Sequence, residues 1–404
     1  MSKVRIITGN EAAALAVILC EPQVVAAYPI TPQTRISELL SEYVENGTLK
    51  AEYVRVESEH SALSVLIAAS TAGVRTFTAT SANGLLYMHE QLHWAAGSRL
   101  PIVMCCVNRG VAAPWSIFND QQDSMSQRDT GWIQLYCRNN QEIIDTVVQA
   151  YRIAEEIYAP VMVCYDGFTL SHTMMPVEIP EAGDVKRFLP PYRPHTFLDP
   201  ERPRTINPVF FPNRRYNDEG VLCDGYMEMR RKLQNSLERA KEVITEVNRD
   251  FGEQFGRDYG GLIWSYRTED ADVILAGMGS IAAETTLVAD LLRNGGVKAG
   301  VVGIRSFRPF PREALALALK QARFIMVFEK CLSYGYEGGL TSDLKAALYG
   351  SGIDAPIIDF IAGLGGRDVT TDDLLEASTD ALERYNAGDR ANRTVWINCQ
   401  GEEE

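Results

Sequence analysis

Apolar residues in the first 175 positions alternate between unbroken runs and helical spacing. AAALAVILC has the composition of a helix, and VVAAYPI then reads as a short buried strand ending at Pro29. A helix around ISELLSEYVENG, a strand at YVRVE and a helix from Glu59 through SALSVLIAASTAG follow. TFTAT, PIVMCCV and APVMVCYDG are apolar at successive positions, which calls for strands covered on both faces. The alternation predicts an α/β unit over 1–175, doubly wound around a largely parallel sheet.

Proline marks the next boundary. Nine of the 18 prolines lie between Pro176 and Pro212, in a segment containing LPPYRP, DPERPRTINP and FFPNRRY. Such a stretch predicts a long irregular connector. Met227, Met229, Leu233, Leu237, Ala240, Ile244, Val247 and Phe251 then mark one face of a long amphipathic helix, closing a connecting region at 176–260. A second α/β unit spans 261–385, with strands at ADVILAGMGS, VKAGVVGIRS, FIMVFEK and PIIDFIAG. Residues 386–404 (from AGDRANRTVWINCQGEEE) read as an arm or a partly ordered tail.

Composition narrows the function classes. The 404 residues are enough for two or three domains, and 46% hydrophobic with 23% charged residues is the balance of a globular enzyme. A net charge of −14 leaves no basic excess to release counterions, which argues against nucleic acid as a partner. AAALAVILC, bounded by Glu11 and Glu21, is too short to span a bilayer, and no targeting segment is evident. The eight cysteines form no CxxC pair, so the chain reads as cytoplasmic, with reduced thiols and no zinc ribbon or cluster ligands.

Three motifs carry candidate chemistry. His89-Glu90-Gln91-Leu92-His93 fits HExxH, which on a helix puts two imidazoles on one face for a zinc peptidase; its apolar flanks favour a packing and interface role. Gly277-Met278-Gly279-Ser280-Ile281-Ala282 fits the GxGxxA turn of an NAD site. The acidic residue expected after the next strand is missing, and a tight strand-to-helix turn is the simpler reading. The third group is a set of polar residues at strand ends: Thr31 in YPITP, Glu57 and Glu59 in VESEHSA, the glycine of TSANG, and Arg109 in VNRG. Singly they are a turn residue, an N-cap and a surface ion pair. Together they would line one edge of one sheet, where this architecture builds its sites.

YPITP, ESEHSA, TFTATSANGL, NRGVAAPWSIFNDQQDSMSQRDTGWIQ, DGFTLSH, FRPFP and FIAGLGGRD together resemble the alpha subunit of the 2-oxoacid:ferredoxin oxidoreductases, pyruvate type. The resemblance runs from about Gly9 to Asp368. It implies a pyrimidine-type thiamine diphosphate-binding domain, then a transketolase-C-terminal-like α/β domain. Glu59 matches the glutamate that bonds the cofactor's pyrimidine nitrogen and favours its imino tautomer. Arg109 matches the arginine that holds the substrate carboxylate. Thr31, beside Pro29, matches the threonine that bonds substrate next to the thiazolium. Glu57 and His60 are structural neighbours.

Departures from the family pattern concern the substrate. NRGVAAP stands where NRALSAP is usual, trimming Gly110, Val111 and Ala112; Trp115 replaces a smaller residue and Asn83 a glutamine. Room beside Arg109, with Trp115 and Phe118 nearby, admits a larger acyl group. A dicarboxylate fits less well, since Thr31 supplies no second cation. The chain lacks GDG with paired asparagines, so the Mg²⁺–diphosphate site should lie on a beta subunit. The expectation is a thiamine-dependent enzyme that oxidatively decarboxylates a 2-oxo acid, with coenzyme A taking the acyl group. Electrons would pass to [4Fe–4S] clusters on a ferredoxin-like subunit, a gamma subunit would complete the complex, and ferredoxin or another acceptor would follow. No metal ligand is assigned to this chain. Pyruvate is the favoured substrate and an aromatic or branched 2-oxo acid such as phenylglyoxylate the alternative; the zinc peptidase and a non-catalytic NAD-binding subunit are remote ones.

Overall fold

Unbroken apolar runs become strands buried at every residue: Thr76–Thr80, Val103–Asn108, Ile133–Tyr136 and Val161–Asp166. The computed structural model describes residues 3–194, 212–217 and 220–400. The connector's DPERPRTINP and the last residues of the tail, 401–404, lie outside the described residues. The larger sheet has seven strands in the order Ser306–Arg308, Ile133–Tyr136, Val161–Asp166, Val103–Asn108, Thr76–Thr80, Val24–Ala27, Glu52–Arg55. All neighbours are parallel except Ser306–Arg308, which runs antiparallel to Ile133–Tyr136. From Val24–Ala27 the chain moves to one side of the sheet, and from Thr76–Thr80 to the other. That reversal opens a crevice at the carboxyl ends of these two strands.

The second sheet has six strands in the order Ile263–Tyr266, Ala299–Ile304, Val273–Gly277, Phe324–Glu329, Ile357–Ile361, Thr394–Trp396. The protein is thus α/β throughout, a doubly wound unit followed by a second α/β unit, as the sequence predicts. Helices Gly9–Cys20, Asn140–Ile157 and Tyr226–Phe255 cover one face of the larger sheet through Val17, Val147, Tyr151, Ile244 and Val247. Its other face, with Leu63, Leu66, Met104 and Met162, packs in one continuous core with Ala276, Val302, Ile325 and Leu344 of the second unit.

One residue carries the chain from one sheet to the other. Arg305, fully buried, joins Ala299–Ile304 to Ser306–Arg308. It donates to Glu142 Oε1 (3.1 Å), Gly261 O (3.0 Å), Thr146 Oγ1 (3.0 Å) and Gln149 Oε1 (3.1 Å). A buried guanidinium persists only with its donors matched in this way.

Three readings of the sequence need correction. The connector is not irregular from its start: Met175–Ile179 is a strand paired antiparallel with Lys3–Ile7, and Ala182–Phe188 is a helix. Pro176 is tolerated because this ribbon has only two strands, so every strand is an edge. The tail is not a loose arm either. Thr394–Trp396 pairs in parallel with Ile357–Ile361 and finishes the second sheet, with Ile397 buried beneath it. The apolar stripe of the long helix begins later than its spacing suggests, since Met227 is 77% exposed while Ala240, Val243 and Ile244 are buried.

Candidate active site

The crevice at the strand ends gathers the residues that the sequence singled out. After Val24–Ala27, Asn10 Nδ2 donates to Pro32 O (2.7 Å) and Gln33 Nε2 to Tyr28 O (2.7 Å). These bonds fix the Tyr28–Pro32 turn, with Pro29 and Thr31 on its exposed side. The Thr31 carbonyl accepts from Arg109 Nη1 at 2.7 Å, which ties the turn after one strand to the turn after another.

Glu59 is the first residue of the Glu59–Thr71 helix, capped by Ser58, whose side chain accepts from Ser61 N. Glu59 is therefore not the N-cap. Its carboxyl sits at the positive end of the helix, and the residue is only 7% exposed. Burial raises it above the usual carboxylate range, opposed by its own backbone N–H. A Cβ at Gly84 would stand 2.5 Å from Glu59 Oε1 and 2.7 Å from Thr80 Oγ1, so only glycine lets the Ala82–Tyr87 helix approach this carboxyl. The hydroxyls of Thr80 and Ser81 are buried without hydrogen-bond partners. Glu57 accepts from Ser61 Oγ, a bond that holds its carboxyl below the usual range, and His60 Nε2 meets Gln91 Nε2 at 3.0 Å.

Arg109 follows the Val103–Asn108 strand and is 6% exposed. Burial lowers its guanidinium, and the Asp123 charge partly compensates. Its Nε is buried without an acceptor. Gly110 N donates to Phe118 O at 3.0 Å, closing a loop through the half-buried Val111 and Ala112. Ala112 N donates to Asn83 Oδ1 at 3.1 Å. The far side of this loop rests on the second unit: Ser116 Oγ donates to Gly365 O (3.1 Å) and Gly366 N to Asn119 O (2.9 Å). Trp115 is 77% exposed, whereas the Phe118 ring lies 4.8 Å from that of Phe168.

The other two motifs resolve differently. His89 Nδ1 meets Gln127 Oε1 at 2.6 Å, and the His89 and His93 rings stand edge to face at 5.0 Å. Among the described residues no group of three or more His, Cys, Asp or Glu is placed to hold a metal ion. The flanks are not uniformly buried as their composition suggests, for Tyr87 and Trp94 are exposed. The GxGxxA turn does open a helix, Gly279–Asn294, but its anion position is filled from within the chain. Asp166 Oδ2 accepts from Ser280 N (3.2 Å), Ser280 Oγ and Lys330 Nζ (3.2 Å). The glycine serves the docking of one unit on the other, with a carboxylate where a pyrophosphate would bind.

Sequence reasoning missed Asp123, Asn108 and Asp166. Asp123 is fully buried and accepts from Ala82 N (2.9 Å), Asn108 Nδ2 (2.7 Å), Arg109 N (3.1 Å) and Ser124 N (2.7 Å). The only sequence signal was an acid in the polar stretch NDQQDSM, which spacing alone cannot tell from a surface acid.

Comparison with known proteins identifies the family. Residues 15–249 match the family described as pyruvate flavodoxin/ferredoxin oxidoreductase, thiamine-diphosphate-binding, and residues 271–374 match pyruvate:ferredoxin oxidoreductase core domain II. The pyruvate synthase subunit PorA of Methanocaldococcus jannaschii is 48% identical over 93% of this chain and 94% of its own length. The ketoisovalerate oxidoreductase subunit VorA of Pyrococcus horikoshii is 45% identical over 98% of each. Among solved structures, a 2-oxoglutarate:ferredoxin oxidoreductase from Magnetococcus marinus has the same fold, with a TM-score of 0.72 at 21% identity. That match covers 94% of this chain and 65% of the other, so this chain spans about two thirds of that larger one. By fold, family match and near-full-length relatives, the chain belongs to the pyruvate flavodoxin/ferredoxin oxidoreductase family, as an alpha-type subunit of a 2-oxoacid:ferredoxin oxidoreductase.

Proposed function

We propose that this chain supplies the pyrimidine-binding and substrate-carboxylate half of a thiamine diphosphate site. The carrying observation is the pairing, on one sheet edge, of a buried carboxyl held against a glycine with a buried guanidinium that has a donor to spare. These residues fit the group. The carboxyl of Glu59, the approach allowed by Gly84 and the unpaired Thr80 hydroxyl suit a heterocycle with ring nitrogens, and Thr31 and Pro29 border the same crevice. Thiamine diphosphate held there would supply a carbon nucleophile for the 2-oxo group and an electron sink for loss of CO₂. Glu59 would hydrogen-bond a ring nitrogen of the bound heterocycle and exchange a proton with it, its carboxyl being raised by burial. Arg109 would hold a substrate carboxylate through its guanidinium while Nη1 stays on the Thr31 carbonyl, so substrate and the Thr31 turn are held by one planar group.

Gly110, Val111 and Ala112 border the acyl side. Pyruvate is the favoured substrate, which the relative named as a pyruvate synthase subunit supports. A branched or aromatic 2-oxo acid is the second reading, supported by the small residues after Arg109 and by the relative named for ketoisovalerate. The diphosphate and Mg²⁺ belong to a beta subunit, [4Fe–4S] clusters to a ferredoxin-like subunit, and a gamma subunit completes the assembly. Coenzyme A takes the acyl group, and ferredoxin or a comparable carrier takes the electrons. We place the complex in the cytoplasm; no described helix is long and apolar enough to cross a membrane. The test is the assembled complex, stripped of cofactor and assayed with pyruvate, 2-oxobutyrate, 2-oxoisovalerate and phenylglyoxylate. Activity should return with thiamine diphosphate and be highest on pyruvate. Specificity constants that rise with acyl size select the second reading, and activity indifferent to the cofactor overturns both.

A further inference from the structure

The crevice is held together by a carboxylate that does not face it. Asp123 Oδ2 accepts from Ala82 N (2.9 Å) and Arg109 N (3.1 Å), and Oδ1 from Asn108 Nδ2 (2.7 Å) and Ser124 N (2.7 Å). Ala82 and Arg109 follow different strands, Thr76–Thr80 and Val103–Asn108, and one carboxylate therefore spans the two turns. Ala82 opens the short helix that brings Gly84 against Glu59, with its backbone at a positive φ of 44°, a conformation that needs such support. The next residue, Asn83, accepts from Ala112 N at 3.1 Å and extends the tie to the loop after Arg109. Burial pushes the Asp123 carboxyl up, and its donors, Asn108 foremost, pull it back. No neutral side chain of this size offers two acceptor oxygens on opposite sides.

We infer that Asp123 is a positioning residue, whose carboxylate locks the Gly84 turn facing Glu59 to the turn carrying Arg109 and so sets the distance between the cofactor side and the substrate side. This rests on the reading of Arg109 as the carboxylate-binding residue. Asp123→Asn is the informative change, because a carboxamide in either orientation turns two N–H groups toward existing donors. With oxygen toward Ala82 and Arg109, the amide faces the Asn108 amide and Ser124 N; reversed, it faces the Ala82 and Arg109 backbone N–H groups. The reciprocal exchange Asn108→Asp with Asp123→Asn removes the conflict at position 108 and leaves only the one with Ser124 N. The carboxamide at 123 then keeps its oxygen on Ala82 N and Arg109 N and donates to the new carboxylate at 108.

The experiment uses the assembled complex and compares steady-state kinetics, thermal midpoint and amide hydrogen exchange for wild type, the single variant and the reciprocal variant. Asp123→Asn should raise KM for the 2-oxo acid at least tenfold, lower kcat less, and speed exchange at the Ala82 and Arg109 amides. The reciprocal variant should bring KM back to within about threefold of wild type and slow both amides again. Wild-type exchange and KM in Asp123→Asn would overturn the proposal. So would a reciprocal variant with a wild-type thermal midpoint and KM still raised tenfold, since the residue would then serve stability alone. Should Asp123→Asn fail to assemble, the reciprocal variant decides on the same two criteria. Failure of the underlying reading shows separately: Arg109→Lys would leave KM unchanged while Asp123→Asn still sped exchange at the two amides.

Discussion

Glu59 and Arg109 are both buried, yet each lacks a full set of partners within the chain, and that incompleteness sets what their variants should do. Glu59→Gln keeps size and hydrogen bonding but cannot share a proton with a ring nitrogen in the same way. Turnover in the assembled complex should fall about 10²-fold or more, with circular dichroism unchanged. Near-normal turnover would mean that another glutamate does this work. Arg109→Lys keeps the charge but loses the planar fork, so one ammonium cannot serve both the Thr31 carbonyl and a substrate carboxylate. KM for the 2-oxo acid should rise strongly while thiamine diphosphate affinity stays close to wild type, and a parallel loss of both would assign Arg109 to the cofactor. From spacing alone, these two residues were legible only as polar groups at strand ends. Their separate roles came from resemblance. Asp123 was illegible because burial, which gives an acid its meaning here, leaves no mark in composition.

Elements were legible where burial is two-sided. TFTAT, PIVMCCV and APVMVCYDG became strands because a continuous apolar run has no other economical packing. Short or one-sided strands gave no such signal. Ser306–Arg308 contains an arginine and pairs along one edge, and Thr394–Trp396 is three residues long in a polar tail. The loop that follows Arg109 shows how an element titrates. Burial, reinforced by the Asp123 charge and opposed by Gln122 N and Lys330, pushes Asp120 up to about 7 from an ordinary 3.8. The folded chain thus keeps a proton that the unfolded chain gives up. Stability from the neutral carboxyl is whole below about pH 3.8 and is lost as pH rises to about 7. Asp120→Asn should remove this loss, so its thermal midpoint should gain on wild type between pH 5 and pH 8. Parallel midpoints across that interval would show that Asp120 does not titrate there.

At the scale of the whole molecule the two sheets share a core, and Arg305 and the Asp166–Lys330 pair sit at their junction. The unfolding of the purified chain should therefore be one calorimetric transition, and two resolved transitions would contradict the shared core. The proline count marked a boundary but not this joint, because a shared core is made by residues far apart in sequence. The same assembly leaves Tyr28, Trp115, Ile117 and Phe118 exposed around the crevice, apolar area of the kind that obligate subunits cover. On the proposed reading, this chain carries half of a thiamine diphosphate site. This is tested most directly by assaying CO₂ release from a 2-oxo acid with excess thiamine diphosphate and Mg²⁺, first with the isolated chain and then with the remaining subunits added. The account predicts no release from the isolated chain, restoration on assembly, and loss of the restored activity in Glu59→Gln. Robust thiamine-dependent decarboxylation by the isolated chain would contradict it.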